Sequence, residues 1–165
     1  MSLGVLVGRF GMFIRETHGS LELERDSAAG GALSEGEFPD QLNHVRDAVA
    51  HHLIPLLLLA RADNDFAPQE RDVIVEHCIT LAGRQGIKLV DPHVGVLTGY
   101  ISTYRPSLMQ LDPALHRLAQ ASHDDIADLL FAAKAVIEAD GIIQAAETKF
   151  LTNLSDELAA LKIGP

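Results

Sequence analysis

Tryptophan is absent from these 165 residues, tyrosine occurs twice, and cysteine occurs once, at Cys78. A lone thiol excludes an intramolecular disulfide and any metal site built on paired thiolates, and it fits a reducing cytoplasm. Basic residues are scarce as well. The 13 Lys and Arg stand against 23 Asp and Glu, and a formal charge of -10 disfavours any partner held by neutralising phosphates. Nucleic acid is therefore not expected, whereas metal cations and basic protein surfaces are. The apolar stretch from Leu3 to Ile14 is too short to cross a bilayer, is interrupted by Arg9, and lacks the basic leader and small-residue cleavage site of a signal peptide. No transmembrane segment is expected. The amphipathic character of this stretch leaves open docking on the domain or peripheral contact at the inner face of a membrane. A Gly-rich phosphate cradle, a nucleophile elbow and an HExxH pair are all missing, so nothing in the sequence supports enzymatic activity.

What is present is helical periodicity. With 47% apolar residues the chain is long enough for one domain with a core and too short for two ordinary ones. Residues 1–37 read as an apolar arm and a flexible linker, because Gly19, Ser20, Ser27, Gly30, Gly31, Ser34 and Gly36 alternate with glutamates and bury little. Residues 38–165 read as the helical domain. Leu42, Val45, Val49 and Leu53 make one helical face, Pro55 is expected to break or kink that helix, and Leu56 to Ala62 is apolar on every side, as befits the centre of a bundle. Pro68, Asp91-Pro92, Asp112-Pro113 and Ser122 mark further helix starts, Gly83 or Gly86 can supply a left-handed end, and a last helix covers Ala145 to Leu161. No strand alternation persists. The expectation is an all-α single bundle of about six or seven helices.

Shifting the chain against itself by 77 residues pairs Ala62-Asp63 with Ala139-Asp140, Glu70 with Glu147, and Leu81-Ala82 with Leu158-Ala159. Each copy is an apolar helix ending in Ala-Asp, a turn, and a second helix with glutamate in its first turn. Such an internal repeat predicts a pseudo-twofold pair of halves. The segments RADNDFAPQERDVI (61–74) and EADGIIQAAETKFL (138–151) resemble the two halves of the tellurite-resistance TerB-like domain, whose hallmark is an Ala-Asp-Gly turn followed, seven residues after the aspartate, by glutamate. The likeness spans roughly Asp40 to Leu161. It implies an all-helical fold, acidic divalent-cation sites at the turns, and roles in stress response or in chaperone-linked membrane assemblies. Carried over residue by residue, it points to Asp63, Glu70, Asp140 and Glu147. Asn64 replaces the turn glycine in the first copy, and Ile142, Ile143 and Ala145 stand in the second where more polar residues would add ligands.

Two carboxylates and the free carbonyls of a helix end form an all-oxygen set suited to Ca²⁺ or Mg²⁺, with Asp65 able to join the first turn. The alternative is structural: each aspartate accepts hydrogen bonds from turn amides and each glutamate caps its helix. An EF-hand is excluded, since the twelfth position counted from Asp63 or Asp140 is Ile74 or Leu151 instead of glutamate. His44, Asp47 and His51 share one helix face, read as a solvated stripe or, less favourably, as a transition-metal set. His52 reads as a partly buried, satisfied histidine. His77 and Cys78 point apart on a helix, so Cys78 reads as a small core residue, and Tyr100 and Tyr104 read as packing. Three functions follow: a non-enzymatic TerB-like stress or tellurite-resistance-type module binding Ca²⁺ or Mg²⁺ and a protein partner; a metal-free acidic scaffold or co-chaperone-like interaction domain; and a metal-dependent hydrolase on the His44 face. Because the core stripes begin at Leu42, a chain lacking residues 1–37 is expected to keep a cooperative thermal transition, measured by helical circular dichroism; loss of cooperativity would place the arm in the core.

Overall fold

The computed structural model describes residues 42–163, and these hold six α-helices, one short 3-10 turn and no strand. The helices are α1 (Asn43–Ala60), α2 (Pro68–Arg84), α3 (Asp91–Thr103), α4 (Leu111–Gln120), α5 (His123–Glu138) and α6 (Ala145–Ile163), with the 3-10 turn at Leu108–Gln110 before α4. The apolar arm and the linker lie outside the described residues.

The all-round apolar character of the second half of α1 explains the architecture. Leu53, Leu56, Leu57, Leu59 and Ala60 are buried, and α1 packs against α2, α4, α5 and α6. Its stripe meets Ile74 of α2, Leu118 of α4, Leu129 of α5, and Leu154 and Leu158 of α6 in one core. Pro55 does not divide the helix as its chemistry predicts; α1 runs uninterrupted through it, with the ring buried. Proline costs a helix one hydrogen bond, and enclosure of this segment on all sides offsets that loss. Local signals place most other boundaries. Pro68 occupies the first turn of α2, and α2 closes on Gly86 at φ 79°, where Gly86 and Ile87 donate to the carbonyls of Gly83 and Ala82 at 3.0 and 2.9 Å. Ser122 and Asp125 cap α5 reciprocally, the Asp125 amide donating to Ser122 Oγ and the Ser122 amide to Asp125 Oδ2. Asp112 is not a cap, because Ser107 and Gln110 begin the helical course earlier and Asp112 falls inside the first turn of α4.

The 77-residue repeat is structural. Hairpin α1–α2 corresponds to α5–α6, and the first helix of each hairpin packs on the second helix of the other. Helices α3 and α4 connect the two.

The polar stripe expected on α1 requires correction at one member. His44 is exposed, but His51 is 7% exposed and stands edge-on to His52 with ring centroids 4.7 Å apart. His52 is wholly buried, and its Nδ1 lies 2.9 Å from His77 Nε2 on α2, so one proton is shared between two rings of different helices. His52 Nε2 has no hydrogen-bond partner among the described residues, so this ring is only half satisfied. Burial, followed by the charge of Arg117, lowers the His51 pKa to about 4, and burial with the neighbouring His51 and His77 lowers that of His52 to about 3. The His77 pKa is also lowered by burial, against the opposing pull of Asp128. Folded, these rings are neutral, whereas unfolded they titrate near their ordinary value. The unfolded chain therefore binds more protons below about pH 6.5, and the contribution to stability is whole above that value and declines as pH falls toward 4. Tm measured from pH 7 down to pH 4.5 should fall, as stability drops by at most about 1.4 kcal/mol per pH unit per ring. His77→Gln, which keeps a donor for His52, should flatten that slope; an unchanged slope would show that the rings do not control it.

Candidate functional site

The two repeat turns have the same hydrogen bonds. In the first, Asp63 Oδ1 accepts from the Asp65 amide at 2.9 Å; in the second, Asp140 Oδ1 accepts from the Ile142 amide at 2.8 Å. The residue between them takes positive φ in both copies, Asn64 at 67° and Gly141 at 79°. Asparagine tolerates this left-handed conformation, which is why it can stand in for the turn glycine. Glu70 Oε2 accepts the Ala67 amide at 2.7 Å and Glu147 Oε2 accepts the Gln144 amide at 3.1 Å, so each glutamate caps its own helix from the third position. Alanine at the first cap has no side-chain oxygen to return the bond.

Both aspartates lie in the turns beyond α1 and α5, past the last helical residues Ala60 and Glu138. Asp63 is half-buried, while Asp65 and Asp140 are exposed. The glutamates behave differently. Glu70 is 4% exposed and Glu147 2%, the only buried acids among the described residues, and the Glu147 carboxyl acts on that of Glu70. Two ionised carboxylates can only accept, so any hydrogen bond between these carboxyl groups needs a proton on Glu70. Burial, that bond, and the charges of Glu147 and Asp140 raise the Glu70 pKa to about 8, against the lowering effect of the Ala67 amide. The repeat therefore joins both turns into one internal carboxyl pair, a junction that spacing along the chain gives no means of seeing.

The surroundings of the two turns are unequal. Arg61 sits over the Phe66 ring at 4.2 Å, donates to the carbonyls of Ser102 and Tyr104 at 3.1 and 3.4 Å, and acts electrostatically on Glu70. The repeat equivalents of Arg61 and Phe66 are Glu138 and Ile143, both exposed. A cation thus closes the first turn, while the second presents bare Ile142 and Ile143.

Among the described residues no three His, Cys, Asp or Glu side chains are gathered as metal ligands. The five acids Asp63, Asp65, Glu70, Asp140 and Glu147 do not form a ready cation cage, since four of them are engaged by backbone amides of the turns or by each other and Asp65 is exposed. The His44, Asp47 and His51 set is not assembled either: Asp47 takes the Arg46 guanidinium at 3.3 Å and His51 points into the protein. Cys78 is fully buried and its thiol is pushed up to about 12 by burial, as suits a core residue. Tyr100 and Tyr104 stack at 4.9 Å, with Gln110 donating to the Tyr104 hydroxyl. The histidine seam and the opposed glutamates are what sequence reasoning missed. No helix among the described residues is long and apolar enough to cross a membrane. The chain matches no family model, no curated protein and no solved structure.

The carboxyl pair has a measurable consequence. Because the Glu70 pKa is raised in the folded state, the unfolded chain loses its proton first, and stability declines as pH rises from about 4.5 toward 8. Glu147→Gln supplies an amide that donates to Glu70 at every pH. At pH 8 this variant should exceed the wild type by about 1 kcal/mol or more, a gain of roughly 2–4 °C in Tm for a chain of this size. Equal melting temperatures at pH 8 would mean that the pair does not hold a proton.

Proposed function

We propose that this protein is a non-enzymatic, TerB-like helical module that works by binding a protein partner through its acidic exterior. The observation that supports it is where the side chains are placed: the motif glutamates turn inward and the motif aspartates serve their turns, while Leu108, Met109, Phe131, Ile142 and Ile143 stand exposed on a chain carrying -10. Exposed apolar side chains amid charge of one sign are the ordinary material of a recognition surface. This is the metal-free scaffold or co-chaperone-like reading. A cytoplasmic setting fits the single free thiol, and peripheral membrane contact through the N-terminal arm belongs to residues outside those described.

A second reading, the Ca²⁺- or Mg²⁺-binding stress or tellurite-resistance-type module, is favoured by the buried glutamate pair alone. Two carboxyl groups pressed together are held by a proton or by a cation, and oxygen ligands suit hard divalent ions. As they stand, the residues do not fit such an ion: the two carboxyl groups accept the Ala67 and Gln144 amides, and no third ligand joins them. Melting wild type with and without millimolar Ca²⁺ or Mg²⁺ separates the readings. The interaction module predicts equal midpoints. A cation site predicts a rise by linkage, of about 2.7 kcal/mol at a hundredfold excess over Kd, and the rise would be smaller in Asp140→Asn than in Asp63→Asn. The sequence alone favours the Asp63 turn because Asp65 supports it, but Arg61 acts on Glu70 from that side while Asp140 adds negative charge from the other. A rise of that kind in wild type would overturn the metal-free reading.

A further inference from the structure

We infer that the groove between α2 and α5 is the docking site for a basic amphipathic helix of a partner protein. The inference rests on the interaction-module reading and assigns it a surface. Val73, His77, Thr80 and Arg84 follow one another at helical spacing on α2, and Asp124, Asp128, Phe131 and Ala135 do so on α5. These stripes flank a cleft of about 420 Å³ floored by Leu81, Ala132 and Ala135. Beyond the Arg84–Asp128 ion pair it continues into a second cleft, of about 530 Å³, lined by Ser122, Asp124, Asp125 and Ala127.

Three features specify the occupant. The floor is apolar, with alanine at 132 and 135, so another helix can approach closely on that side. Phe131 stands at its edge 78% exposed, a large apolar group with nothing packed over it among the described residues. The rim is acidic: Glu76, Asp124, Asp125 and Asp128 line the two clefts against one basic residue, Arg84, which is already paired with Asp128. His77 adds no charge, because its Nε2 is engaged with His52 and burial keeps its pKa low. A partner helix bearing Leu-type side chains on one face and Lys or Arg along its edges satisfies all three, and its cations gain further from the face of Phe131. The overall charge of -10 steers such a segment toward the surface and repels anionic membranes.

The full chain should be titrated with a short peptide of leucine and lysine spaced three and four apart, and with its leucine–glutamate counterpart, read by calorimetry. The lysine peptide is expected to bind and the glutamate peptide not. Phe131→Ala, which removes an exposed side chain, and Asp124→Lys should each weaken binding by about tenfold or more. Asp112→Lys and Asp156→Lys, exposed acids away from the groove, should change it by less than about twofold. Melting each variant confirms that it is folded. Uniform losses in all four variants would reduce the binding to bulk charge and overturn the proposal, as would absence of binding. Loss on Met109→Ser or Ile143→Ser but not on Phe131→Ala would move the interface elsewhere, leaving the interaction reading standing and this groove excluded. Wild-type self-association abolished by Phe131→Ala would assign the groove to a second copy of the chain instead, and Phe131-dependent binding to anionic vesicles would assign it to a membrane.

Discussion

A helical segment that is apolar on every side has to be surrounded, and the second half of α1 is such a segment. Leucines at 53, 56, 57 and 59 cannot all face one neighbour, because successive residues on a helix point about 100° apart. Burying them takes α2, α4, α5 and α6 together, and this demand fixes the bundle around one axis. It also explains the tolerance of Pro55. A surface helix would bend or end at such a residue, whereas a segment enclosed where the proline lies has more to lose by leaving the core than by losing one backbone bond.

Enclosure brings polar groups inside with it. His52 lies on the same helix as the leucines and is carried into the interior, where His77 answers one of its nitrogens and the ring stays neutral. The glutamate caps of α2 and α6 are drawn in by the repeat, which places equivalent residues of the two hairpins face to face. Both clusters are buried titratable groups with reduced charge, the histidines by giving up protons and the carboxyl pair by retaining one proton on two groups. Most of the charge lies on the exterior, where acids predominate. The proposed recognition by contact rests on that acidic, partly apolar outside.

The turns show why a motif can be legible while its purpose is not. Asp63 with Asp140, Asn64 with Gly141, and Glu70 with Glu147 are paired correctly by a simple shift of the sequence, because turns and caps are local and repeat their backbone demands wherever they occur. Ligand reading from the same residues counts carboxylates without knowing what each oxygen already accepts. Once the amides of Ala67, Gln144, Asp65 and Ile142 are assigned, much of that capacity is spoken for.

By itself the sequence determined the helices, most of their ends, the repeat and the apolar centre, since these follow from residue periodicity, proline and glycine geometry and side-chain capping within a few positions of chain. Its reading of α1 went wrong at His51, and α1 does not break at Pro55, because packing by distant helices outweighed a local preference. Only the tertiary structure decided that Glu70 meets Glu147, that His52 meets His77, that Arg61 closes one turn and leaves the other open, and that Phe131 stands beside an acidic groove. Each of these joins residues from different helices, and side chains brought together by packing leave no periodicity along the chain from which their meeting can be read.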